Sequence, residues 1–491
     1  MTGKLASVVE VRDAVRARRS KAVDVIREAL RQLRAVDPKL NATSQILEAE
    51  AIAQAEDLDQ RLDRGEAAGP LAGVPFTVKD NICTRSGTTT AGSQIIAHFK
   101  APYDATVVSK LRAAGAIQVA KTNMDEFGMG SSTENSATMG PTRNPWRTTH
   151  VPGGSSGGAA ALAASTRGMI HLGSDTGGSI RQPAAYCGVT GIKPSYGRVS
   201  RYGLLAFASS LDQIGVLQSS ARECAAALEV MAGRDPMDST SATREVPNYL
   251  SEIERDVRGL RIGIPKEYFP EALDPQVRSR VREGIEILRG LGVETREVSL
   301  PHTQYANPTY VLISAAEASS NLARYDGVHY GHRAKDAQGL IDLYAKSRVE
   351  GFGPEVKRRI MVGTFVLSAG YYDAFYNKAC KVRNLIRRDF ENVFQEVDAV
   401  VCPTSPVTAF PIGDKIDDPL KLYAVDILTV PANLATVPGI SFPCGLTSEN
   451  LPVGFQIYGR PFEDQKVLQL AHAFQKATRF HLEAPPVRAW S

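Results

Sequence analysis

Apolar residues recur along the first seventy positions at three- and four-residue steps: Val8, Val11 and Val15, then Val23, Ile26, Leu30 and Leu33. That period keeps one helical face toward a core. Residues 1–70 are therefore expected to form a helical N-terminal arm, with Ser20 as an N-cap and a stop at Asp37-Pro38. A further helix over 48–64 should end at Gly65. The pattern changes at residue 71, where a short apolar run over 71–78 reads as a strand that delivers Lys79 at its end. A helix capped by Asp104 and broken at Gly115, then a buried strand over 117–121, continue a strand, helix, strand rhythm. The alanine-rich residues 159–164 predict a tightly packed helix, 169–173 a strand and 221–231 a helix ended by Gly233, while 203–215 is loop-like.

Residues 234–258 are polar and proline-containing, and read as a connection. Beyond them come a strand over 260–264, an amphipathic helix over 274–291 and a strand over 293–298. Residues 310–395 are mostly helical by their spacing and should cap one side of the core; 397–403 and 454–458 return to strands before a closing helix over 467–478. There is no internal repeat. The whole predicts one α/β domain over 1–491, with the arm at 1–70, a core at 71–240, the cap at 310–395 and a return at 396–491. Its sheet is expected to be mixed and largely parallel, covered by helices on both faces.

Composition narrows this picture little. With 43% hydrophobic and 22% charged residues, the 491-residue chain is an ordinary globular protein able to bury a large core. A net charge of +4, from 57 basic and 53 acidic residues, is too balanced to indicate a nucleic-acid surface. The six cysteines are scattered without a C-x-x-C or a close Cys/His pairing, so they read as reduced core thiols in a cytoplasmic protein with no metal site. Residues 1–25 are charged throughout, with no apolar signal region, and no stretch approaches the ~18 uncharged apolar residues of a membrane span.

The chemistry concentrates in residues 151–195, where GGSSGG (153–158) precedes a second glycine-flanked serine, Ser179, 24 positions after Ser155. Glycines let the backbone turn sharply and let other groups approach, so each serine can be presented with a bare Oγ. The N–H groups of Thr176, Gly177 and Gly178, with that of Ser179, can then form an oxyanion hole, each such donor being worth roughly 3–4 kcal/mol to a transition state. A flexible linker would not run straight into an apolar helix and a buried strand. A Walker-type phosphate loop needs a lysine that both glycine runs lack. None of the eight histidines lies in a glycine-serine motif, and His171, inside a predicted strand, reads as a core residue. Asp175 and Arg181 read as organisers of the turn that carries Ser179.

These segments resemble the amidase signature family: GGSSGG (153–158), GGSIRQP (177–183), GIKPS (191–195) and, upstream, GVPFTVKDN (73–81). The resemblance implies Ser179 as nucleophile, Ser155 as a bridging serine in a cis peptide and Lys79 as base. Such a lysine must be neutral near pH 7, a depression of roughly three units from the ordinary value of ~10.4. The distal segments KTNMDEFGM (121–129), STENS (132–136), EASSNLARYDG (317–327), Arg358-Arg359 and GYYDA (370–374) are most similar to the glutaminase subunits of tRNA-dependent amidotransferases within that family. By that similarity glutamine is the amide donor, its α-carboxylate meeting Arg359, with Arg358 as the neighbouring alternative, its α-amino group meeting Asp426, and Tyr310 closing the pocket. Guanidinium–carboxylate and carboxylate–ammonium pairing suit those roles.

The similarity also implies no cofactor in this chain. ATP and Mg²⁺ would belong to a partner B subunit that activates misacylated Glu-tRNA(Gln), or Asp-tRNA(Asn), and carries most of the tRNA contact; a small C subunit completes the complex. Two other readings stand beside it. A free-standing amidase of small amides would leave Arg359 and Asp426 without charged partners. A silent scaffold or tRNA-binding subunit would not need the intact Lys79, Ser155 and Ser179.

Overall fold

The computed structural model describes residues 7–414 and 418–489, and within them the strands join one eleven-stranded sheet. In chain order they are β1 (Thr43–Ile46), β2 (Pro75–Lys79), β3 (Ile117–Thr122), β4 (Ile170–Asp175), β5 (Thr190–Lys193), β6 (Gln213–Gln218), β7 (Arg261–Pro265), β8 (Glu294–Val298), β9 (Ala399–Pro403), β10 (Gly439–Leu446) and β11 (Pro452–Gly459). In space they run β1-β3-β2-β4-β6-β5-β10-β11-β9-β7-β8. The sheet is mixed, as expected, but it is not largely parallel: among the described residues six of the ten strand pairings are antiparallel. The difference comes from β5, β6 and β10, three strands that the apolar pattern does not reveal. Each contains glycine or proline, which read as turn signals. In β6 the glycine has a packing reason, since a Cβ on Gly215 would lie 2.1 Å from the carbonyl oxygen of Ile192 in β5.

The N-terminal arm is helical over Val8–Arg16, Ala22–Leu40 and Glu48–Asp63, interrupted by β1, which pairs antiparallel with β3. Pro38 does not stop the second helix, which runs on to Leu40 and ends with Asn41 in the left-handed region. The N-cap there is Lys21, without a side-chain bond, rather than Ser20. Nor does Asp104 cap its helix: Ala105 holds that place before Thr106–Ala113, and the Asp104 carboxylate accepts from the Arg85 N–H at 2.7 Å.

Three central features position the chemistry. Strands β2 and β4 are parallel neighbours with Val78 opposite Leu172, so their carboxyl ends emerge side by side. This is where parallel sheets present functional groups. The alanine-rich helix Gly157–Ser165 is buried on every side, and a Cβ on Gly158 would meet the Asn123 carbonyl oxygen at 2.5 Å. Small residues let this helix sink against the strand ends and fix the serine loop that precedes it. Finally the cap, Ala306–Asn321, Leu340–Gly351, Pro354–Leu367 and Lys378–Glu396 with a π-turn at Asp373–Asn377, lies over the same end. Its first and third helices cross closely, since a Cβ on Gly363 would stand 1.9 Å from the Ala315 carbonyl oxygen.

Candidate active site

Lys79, the last residue of β2, is fully buried. Its Nζ lies 2.7 Å from Ser155 Oγ, 2.8 Å from Ser156 Oγ and 3.3 Å from the Ser174 carbonyl oxygen. Burial lowers its pKa from 10.5 to about 7, opposed in part by the carboxylates of Asp125, Asp175 and Asp212. Near neutral pH the amine thus exchanges readily between its two states, and as a free base it can accept the Ser155 hydroxyl proton. Ser156 was not singled out by the sequence; its hydroxyl, itself 3.1 Å from the Ser174 carbonyl oxygen, holds Nζ from a second side.

The Gly154–Ser155 peptide is cis. Gly154 has no room for a side chain, because a Cβ would stand 2.1 Å from Asp125 Oδ2. The neighbouring N–H of Ser156 donates to the Ser179 carbonyl oxygen at 3.2 Å, so the two serine motifs are bonded to one another through their backbones.

The turn carrying Ser179 is locked from beneath. Arg181, buried, donates through Nε and a terminal nitrogen to the Asp175 carboxylate at 3.1 and 3.0 Å, and reaches Thr429, Gln456 and Asn433 as well. Burial works to raise the Asp175 pKa, but the Arg181 charge and its bonds outweigh that and hold it at about 2. Both residues organise the turn, as their sequence context suggests. Asp175 also takes the Gly178 N–H at 2.9 Å, which corrects one expectation: that donor is engaged and is not offered to an oxyanion. The N–H groups of Thr176, Gly177 and Ser179 donate to no acceptor among the described residues. Gly178 is confined by φ +139° and by Thr429, whose Oγ1 would lie 2.2 Å from an added Cβ. Gly178→Ala is therefore expected to destabilise the protein by about 2–4 kcal/mol, measured as a lower denaturation midpoint.

Ser179 opens onto a pocket at this end of the sheet. Tyr310, Arg359 and Asp426, all three of the substrate-binding candidates, line it together with Gly177 and Ser131. The crossing of the two cap helices explains why, since one carries Tyr310 and the other Arg359. Tyr310 stands over the turn, its ring 2.7 Å from where a Cβ on Gly177 would be. The choice between the paired arginines is clear-cut in burial: the Arg359 side chain is 8% exposed, and that of Arg358 is 44%. Arg359 Nε bonds Glu355 Oε1 at 2.7 Å, the Tyr423 hydroxyl shares that oxygen at 2.6 Å, and the guanidinium stacks 4.7 Å from the Tyr423 ring centroid. Asp426 accepts a hydrogen bond from Ser131 Oγ, while its buried Oδ1 has no partner among the described residues. Burial raises the Asp426 pKa to about 7. An acceptor buried in this way is complementary to a ligand cation. The sequence assigns no role to Ser131, Glu355 or Tyr423, although each lies within three residues of a segment it singles out: STENS (132–136), Arg358-Arg359 and Asp426.

His171 is a core residue as expected, its Nδ1 2.9 Å from Thr77 Oγ1 and its pKa lowered by burial to about 3.

The family model described as Amidase matches residues 24–468. The chain belongs to the amidase family. Among its relatives in that family is the glutamyl-tRNA(Gln) amidotransferase A subunit of Halalkalibacterium halodurans, 54% identical over 462 residues that make up 94% of this chain and 95% of the relative. The protein of the same name from Carboxydothermus hydrogenoformans is 52% identical over 479 residues, 98% of each chain. The crystal structure of the Thermotoga maritima glutamyl-tRNA(Gln) amidotransferase A subunit superposes with a TM-score of 0.81 at 42% identity, covering 99% of this chain and 98% of that one. The amidase fold thus accounts for both the mixed sheet and the cap.

Proposed function

We propose that the chain is the glutaminase subunit of a glutamyl-tRNA(Gln) amidotransferase, hydrolysing glutamine and passing the ammonia to a partner subunit. One observation carries the choice of glutamine. Arg359, a cation, and Asp426, a carboxylate that ionises at about 7, line the same cavity as Ser179, which suits a substrate bearing an α-carboxylate and an α-ammonium. Lys79 takes the Ser155 proton as Ser155 takes that of Ser179; the Ser179 Oγ adds to the γ-carboxamide carbon, and Thr176 and Gly177 N–H groups hold the oxyanion. The proton returns through Ser155 to the nitrogen as the C–N bond breaks. That leaves a γ-glutamyl ester on Ser179 and free ammonia; water then attacks the ester, releasing glutamate and restoring Ser179.

ATP and Mg²⁺ serve the B subunit, which activates the misacylated Glu-tRNA(Gln), or Asp-tRNA(Asn), and holds the tRNA. A small C subunit completes a cytoplasmic heterotrimer. Among the described residues no helix is long and apolar enough to cross a membrane. The relatives named above support an amidotransferase role over that of a free-standing amidase.

The test is ammonia release from glutamine and from butyramide, by the chain alone and with its partner subunits, ATP and misacylated tRNA. Glutamine turnover that rises with the partners and vanishes in Ser179→Ala is the expected result. Hydrolysis of butyramide in preference to glutamine would return the chain to the small-amide hydrolases.

A further inference from the structure

Glu126 is 1% exposed and lies outside the cavity, yet its carboxylate bridges the two halves of the site. It follows Asp125, whose N–H donates to the Ser155 carbonyl oxygen at 3.3 Å, so its backbone is tied to the loop of the bridging serine. Its own N–H donates to Asn135 Oδ1 at 3.1 Å, and Phe127 beside it packs between the rings of Tyr325 and Phe352 in the cap. The carboxylate meets Gly353, the N-cap of Pro354–Leu367, accepting its N–H at 2.9 Å through Oε2 and 3.1 Å through Oε1. Ser93 Oγ donates to the same carboxylate at 2.5 Å and lies 3.2 Å from the Gly351 carbonyl oxygen. A Cβ on Gly353 would stand 2.3 Å from Glu126 Oε2, so the approach requires that glycine.

The helix held in this way has no side-chain cap of its own. Its first turn carries Glu355 and its second Arg359, joined at 2.7 Å, and Glu355 holds the Tyr423 hydroxyl. At 1.5 Å of rise per residue, Arg359 lies roughly 9 Å along the axis from the Gly353 anchor. A shift at the anchor is therefore carried to the guanidinium with little loss, because a helix moves as a rigid unit.

We infer that Glu126 is a positioning residue for amide-donor selectivity, fixing the start of the Arg359 helix against the serine core. This rests on the glutamine reading of the cavity. Geometry carries the role: the Glu126 carboxylate stands where the helix lacks a cap, a place the helix dipole favours for a carboxylate. Burial raises its pKa to about 7, and the bonds from Ser93 and Gly353 work against that rise. Glu126 touches neither substrate nor the reacting serines, and acts only through Gly353 and Ser93.

The test compares the assembled enzyme with its Glu126→Gln and Gly353→Ala variants on glutamine and on butyramide, which lacks both α-substituents. Gln keeps the size but replaces one oxygen by a donor that faces the Gly353 N–H or Ser93; Gly353→Ala disturbs the contact from the other side at an ordinary φ of −72°. Either variant is expected to raise KM for glutamine about tenfold with kcat within twofold and butyramide turnover unchanged, and the double variant should add little, since both break one contact. An unchanged glutamine KM in both variants overturns the inference. So does an equal loss on both amides, which would mean that Glu126 acts on the serines through Asp125. If the unaltered enzyme itself fails to prefer glutamine over butyramide, the functional reading falls, and this inference with it; wild-type preference that survives in the variants removes the inference alone.

Discussion

Lys79→Met is expected to lower kcat for glutamine by about 10⁴-fold or more, and adding Ser179→Ala to it should cost little further, because residues that act as one unit lose their function together. The geometry explains the size of the effect. Among the described residues Nζ is the basic group in contact with the Ser155 hydroxyl, at 2.7 Å, and methionine fills a similar buried volume with a thioether that is not basic enough to take the proton. Ser156 cannot substitute, since a hydroxyl is no base near neutral pH. The pH profile gives an independent reading. Lys79 works as the free amine and titrates at about 7, so the rate rises as pH increases through that value and levels off above it. Asp426 must be ionised to hold an ammonium and also titrates at about 7. Both losses fall on the acid side, so log kcat/KM in the wild type should steepen toward a slope of two below neutrality. Asp426→Asn removes one of the two groups and should return the slope toward one.

How far the sequence carries depends on whether a function is local in the chain. The serine motifs are contiguous, and their glycines are needed for reasons that the residues themselves announce. Gly154 gives room to Asp125, and Gly178 takes φ +139° beneath Thr429. Lys79 is legible as a strand end, although nothing in the chain reveals that Ser156 also holds it. The cavity is different. Tyr310, Arg359 and Asp426 lie on three separated segments, and only the family resemblance picked them out; their meeting depends on two cap helices crossing at Gly363 and Ala315. Glu355 and Ser131 matter because of what they touch in space, so no local pattern could single them out. The same limit hid the antiparallel part of the sheet. Strands β5, β6 and β10 place glycine where a neighbouring backbone approaches or proline beside a register shift, and those residues mimic turns. Pro38 illustrates the reverse error: a proline within a helix's last turns need not stop it when Asn41 can end the helix in the left-handed region.

Arg359→Met should then reverse the selectivity of the enzyme without disarming it. In the wild type the guanidinium is buried, its positive charge reinforced by the Tyr423 and Glu355 groups that keep its pKa above the ordinary arginine value despite burial. The Glu355 bond uses Nε and leaves the terminal nitrogens for the carboxylate of a substrate. Truncating one partner of a desolvated charge pair costs about 2–5 kcal/mol, so kcat/KM for glutamine is expected to fall by about 30- to 4,000-fold, almost wholly in KM. Butyramide makes no such contact and should be turned over as well as before, because Lys79 and Ser155 lie outside the Arg359–Glu355–Tyr423 cluster. Arg359→Lys distinguishes charge from shape. It restores a cation but not the planar fork or the stack on Tyr423 at 4.7 Å, so it should recover only part of the loss. Equal losses on glutamine and butyramide in Arg359→Met would show instead that the arginine holds the cavity together, and the assignment of the α-carboxylate would then pass to another group.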